Sequence, residues 1–271
     1  MPHLTRTPVT ASPASPVHTP TPLADKAVGL GVPGCGAPFH APGEWAALTR
    51  PGAPVHWVAL DLADDPGATP DDPGLGAAGS LRAAGVRVLG RLDAARGADG
   101  DLVLRAHRQL DRYGVDGFLL DRCPAGRDGL PGIRRVVTTL RALRDDAHIV
   151  LGHGTHPCPG YAENCDQMVT FDGSWADYRW SQAAEWTADY PPERFCHWVH
   201  GMPRGHLDEG LRIARWQGAS TLWFTDRRGH PVTGGVSARG DGRYDADGGP
   251  RAALPGHWDD LVSRIGTGVS E

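Results

Sequence analysis

Lysine is almost absent: Lys26 is the only one in 271 residues, and the remaining positive charge is arginine, interspersed with acids to a net of −5. Without a basic block the chain offers no electrostatic footprint for nucleic acid. Long hydrophobic runs are also missing, so nothing reaches the length of a membrane span and no membrane partner is expected. Residues 1–24, rich in Pro, Thr, Ser and Ala, hold no apolar core of a secretion signal. That segment reads as a disordered leader and the protein as cytoplasmic. Cysteines are few and odd in number (Cys35, Cys123, Cys158, Cys165 and Cys196), which argues for free thiols rather than a disulfide framework. Neither a Gly-rich phosphate loop nor a Gly-x-Ser-x-Gly elbow occurs, removing two common routes to phosphoryl transfer and serine hydrolysis.

What remains is a chain with 40% hydrophobic residues, enough for one large core over residues 25–271. Short apolar runs recur along it, and five of them run into an aspartate. Ala27–Pro33 is followed by Val55–Leu60, which ends in Asp61. Val86–Gly90 runs into Arg91-Leu-Asp93, and Phe118–Leu120, bounded by glycines on one side, ends in Asp121. His148–Leu151, Gln167–Phe171 ending in Asp172, Phe195–Val199, and Ser220–Thr225 ending in Asp226 complete a set of eight. Such runs are the pattern of buried parallel strands. Between them lie helical stripes, Leu102/Ala106/Leu110/Tyr113 and Ile133/Val136/Val137/Leu140/Leu143, and a closing stripe of Trp258, Leu261, Val262 and Ile265. Residues 152–166 are too rich in Pro and Gly for a full helix, and the first crossover is short. The pattern predicts an irregular (β/α)8 TIM-like barrel, with an open doubly wound sheet as the alternative.

In a barrel, strand ends gather on one face, so Asp61, Asp93, Asp121, Asp172 and Asp226 are expected around one mouth. Arg91, Arg122, Arg179 and Arg227 lie near enough in sequence to offset some of that charge. The loop after Asp172 supplies Trp175, Tyr178 and Trp180; flat aromatic faces beside paired carboxylates suit a carbohydrate, with Trp175 and Tyr178 as sugar platforms. Tryptophans inside strands, Trp57, Trp198 and Trp223, read as packing. His153, His156, Cys158 and Cys165, with Cys196-His197 further on, match no standard zinc spacing; neither a metal nor another cofactor is expected.

The residues resemble the spherulin-4-like (spherulation-specific family 4) proteins. The likeness is carried by Val32-Pro33 with Trp45, by Gly90, by Asp116–Asp121, by His153–Pro157 with Gly160–Ala162, by Val169–Gly173 with Trp175 and Tyr178-Arg179, and by Cys196-His197 with Gly201, across roughly residues 27–265. The resemblance implies a barrel glycoside hydrolase that cuts galactosamine-containing polysaccharides such as galactosaminogalactan. The sequence departs from the family in four places: Arg122 stands where a Glu follows the fourth-strand Asp, Asp172 stands where the family has Glu, Gly152-His153-Gly154 replaces an Asn-Pro-Gly-like turn after the fifth strand, and Asp61-Leu62 replaces the second-strand Asn-Pro motif. The expected site has Asp121 and Asp172 as catalytic carboxylates, with Asp61, Asp93, Arg122, His153, Trp175, Tyr178, His197 and Asp226 contacting a small-molecule or oligosaccharide substrate. The alternative is a non-hydrolytic barrel, either a carbohydrate-binding pseudoenzyme or an enzyme using the acidic rim for another acid/base reaction.

Overall fold

The computed structural model describes residues 28–35, 42–62, 73–95, 99–228 and 253–266; the proposed leader lies outside them. Eight strands, β1 (Gly29–Cys35), β2 (Val55–Leu60), β3 (Arg87–Asp93), β4 (Gly117–Asp121), β5 (His148–Gly152), β6 (Gln167–Ser174), β7 (Phe195–His200) and β8 (Thr221–Phe224), close into a barrel in chain order. Every pairing is parallel, including β8 to β1. The closure excludes the open sheet and gives the TIM-like architecture read from the sequence.

Glycine sets the spacing of the central strands. A Cβ on Gly117 would lie 2.0 Å from the backbone oxygen of His148 on the neighbouring strand. No rotamer relieves a clash with backbone, so Gly117→Ala is expected to force β4 and β5 apart. A loss of more than about 3 kcal/mol follows, at the upper end of single-substitution effects. Urea denaturation checks this, and an unchanged midpoint contradicts it.

The crossover helices are α1 (Pro42–Leu48), α2 (Pro73–Ala83), α3 (Asp99–Tyr113), α4 (Leu130–Leu143), α5 (Trp175–Tyr178), α6 (Leu207–Trp216) and α7 (Trp258–Gly266). On α3 the buried positions are Leu102, Ala106, Gln109 and Tyr113, one face at helical spacing, and Gly114 stops the helix with φ 59°. On α4 the stripe holds from Ile133 to Leu140, but Leu143, expected to be buried, ends the helix exposed. Helix α2 starts at Pro73, which sets the first turn, while three glycines dilute the apolar pattern that would announce it in the sequence. As the sequence suggested, the β5–β6 connection carries only a 3₁₀ turn, Pro159–Asn164.

The lower barrel interior is partly polar. Trp57 Nε1–H donates to Gln167 Oε1 at 2.7 Å, and Gln167 Nε2 donates to Thr221 Oγ1 at 3.0 Å, tying β2, β6 and β8 together inside the ring. All three side chains are buried, so each polar group needs the partner it has. Trp57 is a packing residue, as its place within a strand implied. No helix among the described residues is long and apolar enough to cross a membrane.

Candidate active site

Parallel strands in register bring their C-terminal ends to one rim, and alternation decides which side chains turn inward. Asp93 on β3 is level with Asp121 on β4, and Arg91 is level with Leu119, so Arg91, Asp93 and Asp121 all face into the barrel. Asp61 follows β2 on the same phase. On β6 the register with β7 skips between Val169 and Phe171, leaving Thr170 as an extra residue. This bulge shifts the alternation so that Phe171 turns outward beside His197 and Asp172 turns inward beside Trp198. Without it Asp172 would face the helices.

Arg91 is the hub of the site. Its Nη2 and Nε donate to Asp121 Oδ2 at 2.6 and 3.2 Å, while Nη1 donates to both oxygens of Asp61 at 3.2 and 3.1 Å. The Arg122 backbone N–H donates to the other oxygen of Asp121 at 2.9 Å. Asp121, at 6% exposure, is therefore a buried carboxylate with both oxygens engaged as acceptors. Gly152 on β5 makes room for it, since a Cβ there would stand 3.1 Å from Asp121 Oδ1.

Arg122 behaves differently from expectation. Its side chain turns away from Asp121 and forks onto Asp93, with Nε 2.9 Å from Oδ1 and Nη2 on Oδ2. Its backbone is the one described non-glycine position in the left-handed region, φ 57°. Holding a side-chain-bearing residue there costs about 1–3 kcal/mol. The Asp93 fork and the N–H bond to Asp121 offset that strain. The guanidinium bonded to Asp121 is that of Arg91 on the neighbouring strand.

Asp172 is exposed at the rim. Its backbone N–H donates to Gly154 O at 3.1 Å, and Gly154, with φ 70°, lies close enough that a Cβ would approach Asp172 Cβ to 3.3 Å. The β5 loop therefore braces Asp172 from one side. Asp226 follows β8, where its Oδ1 accepts the Gly256 N–H at 3.0 Å and fixes the turn leading to α7. Arg179, counted from sequence as a rim cation, pairs instead with Glu209 on α6 at 3.7 Å.

Four residues expected to touch substrate do structural work. Tyr178 is fully buried, with its hydroxyl 2.8 Å from His197 Nδ1 and its ring against Phe171 and Phe224. It offers no face to a sugar. Trp175, at 7% exposure, is packed among Tyr178, His206 and Arg179. His197 is buried on the outer side of β7, so it supports the β6–α5 corner from below. His153 Nδ1 lies 3.0 Å from the Pro124 carbonyl and its ring meets Tyr161 edge-on; with Tyr161 Oη donating to Gly126 O, it braces the loop that follows Asp121.

Burial holds several histidines neutral. It lowers His153 and His148 to about 4 and His197 to about 3. In the unfolded chain each titrates near 6.5. As pH falls below that value the unfolded state takes up protons first, so the stability these histidines lend is complete above about pH 6.5. It is lost progressively toward about pH 3 to 4. Denaturation midpoints should decline steadily from about pH 7 to about pH 4.5; a flat profile contradicts the burial of these rings.

No family model and no curated protein matches the chain. Comparison of the folds is informative where sequence is not. The barrel is similar to that of Aspergillus clavatus Sph3. The match has a TM-score of 0.69 and 19% identity, covers 89% of this chain and 98% of the Sph3 chain, and involves a structure solved in complex with GalNAc. A putative α-L-fucosidase from Bacteroides thetaiotaomicron also aligns, with TM-score 0.52 and 11% identity over 96% of this chain and 99% of that one.

Proposed function

We propose that the chain is a glycoside hydrolase acting on a galactosamine-containing glycan, with Asp121 as nucleophile or base and Asp172 as general acid. The observation that carries this reading is the contrast between the two carboxylates. Asp121 is buried and clamped by Arg91 and the Arg122 N–H, an acceptor arrangement suited to the ionised form, whereas Asp172 stands exposed on the same rim. Two acids in unlike environments are what glycosidic cleavage requires: one group protonates the leaving oxygen while the other attacks or activates water. The carboxylates gathered at this rim, Asp61, Asp93, Asp121 and Asp172, suit a substrate bearing an ammonium, as galactosamine does. The likeness to Sph3, solved with GalNAc, supports an amino-sugar glycan, although the acetamide of GalNAc is itself neutral.

A binding-only barrel is favoured by one observation, that Asp93 and Asp121 are both already engaged by arginines. Variants at Asp172 separate the two readings. Asp172→Asn should lower release of reducing ends from galactosamine oligomers by about 10²–10⁴-fold, the range for loss of a general acid. Asp172→Glu, which extends the carboxylate by about 1.5 Å, should retain or raise activity. Absence of product from both the wild type and Asp172→Glu, with oligomer binding intact, leaves the binding-only reading.

A further inference from the structure

Trp180 and Trp216 are the two most exposed large apolar side chains among the described residues, at 80% and 74%. They are brought to the same flank of the barrel. Gln217, which follows Trp216 at the end of α6, is buried and donates through Nε2 to the carbonyl and the hydroxyl of Ser181, at 3.1 and 2.9 Å. Ser181 follows Trp180 directly. One residue before Trp180, Arg179 reaches Glu209 in the first turn of α6. The segment Arg179–Ser181 is therefore pinned along α6 at both ends, and Trp180 lies on the outer face between the pins. Trp216 ends α6, one residue before the Gln217 that bonds Ser181.

From this we propose that Trp180 and Trp216 form a second glycan-binding site, on the barrel flank and away from the mouth, that holds a polysaccharide chain while a neighbouring stretch occupies the site at Asp121. This inference rests on the reading of the protein as glycan-active. Indole faces stack on the C–H faces of pyranose rings. Trp180 has the geometry of a platform, because the Arg179 guanidinium lies over its ring, 5.9 Å from the centroid, while the indole remains largely open to solvent. Arg179 is itself held by Glu209, which also accepts from His206 at 2.9 Å, so the brace is fixed on the fold. The patch is poorly suited to a second copy of the chain. Two indoles supply at most about 300–500 Å², against about 800 Å² per partner in a stable interface. The rest of this α6 surface is charged, with Asp208, Arg212 and Arg215 exposed. A sugar polymer needs only isolated aromatic platforms with polar groups between them.

The test is electrophoresis in native gels containing galactosaminogalactan, chitosan or soluble cellulose, with turnover of a short galactosamine oligomer measured in parallel. Wild type should be retarded by at least one polymer, and Trp180→Ala/Trp216→Ala should reduce that apparent affinity about tenfold or more. Oligomer turnover should stay within about twofold, because neither residue belongs to the mouth. Retardation that is absent in wild type, or unchanged in the double variant, overturns the inference, as does a double variant that turns a dimer into a monomer in sedimentation. Oligomer turnover by wild type remains a separate readout, so failure of this site is distinguishable from failure of the proposed hydrolase.

Discussion

Asparagine in place of Asp121 is expected to lower turnover of a galactosamine oligomer by about three orders of magnitude or more, the scale for removing a group that makes or activates the attacking bond. The substitution is nearly isosteric, and an amide oxygen can still accept the Arg122 N–H that now reaches Asp121 Oδ1. Arg91 keeps both of its bonds to Asp61, so no cation is stranded in the barrel. Stability should therefore fall by only about 1–2 kcal/mol, the scale of a lost charge-assisted bond. Circular dichroism and thermal melting serve as the fold control. A variant that melts like wild type and still turns over the oligomer at more than about a tenth of its rate removes Asp121 from the chemistry.

The second large effect is expected at Arg91. Its side chain is 19% exposed and bridges Asp121, at 9%, and Asp61, at 46%. Arg91→Leu leaves the two acids in different positions. Asp61 can hydrate, whereas Asp121 is buried and loses the guanidinium bonded to it. A buried charge that loses its partner costs about 3–5 kcal/mol. Activity should collapse as well, because the clamp that aims Asp121 is gone. Arg91→Lys keeps a charge, but one ammonium on a flexible stem does not reproduce a fork spanning two carboxylates, and an intermediate loss is expected. The sharper check is the double variant Arg91→Leu/Asp121→Asn. With the buried charge removed together with its partner, it should regain a large part of the lost stability, giving a coupling of about 1–3 kcal/mol in denaturation experiments. Strict additivity contradicts the clamp.

The barrel was legible because the strands are largely buried on both faces and so appear as short continuous apolar runs, and because five of these runs stop at or just before an aspartate where the rim begins. Asp61, Asp93, Asp121 and Asp172 are recognisable for the same reason. The partner of Asp121 was not. Arg91 precedes it by thirty residues, and their contact arises from the β3–β4 register, in which Arg91 sits one alternation below the aspartates. Arg122, adjacent in sequence and one of the four arginines near enough to offset the rim, instead reaches Asp93 from a left-handed backbone. The inward turn of Asp172 depends on the bulge at Thr170, which leaves no mark in a pattern of apolar residues.

The aromatic residues misled for a physical reason as well. Trp175 and Tyr178 lie among polar residues, which argues for exposure, yet they are three apart on a single helical turn and so share one face. That face packs against Phe171, His197 and His206, while Trp180, outside the turn, is the ring left open. His197 follows a cysteine in a strand and resembled a candidate ligand, but alternation turns it to the helix side of β7, where burial keeps it neutral.

The most direct test of the account is a time course of products from wild-type protein incubated with reducing-end-labelled galactosamine oligomers of increasing length, resolved by mass spectrometry, with calorimetry recording binding of the same oligomers. The account predicts shorter oligomers accumulating from wild type, and binding without comparable product from Asp121→Asn. Equal product from both proteins, or oligomer bound by wild type and left intact throughout, would contradict it.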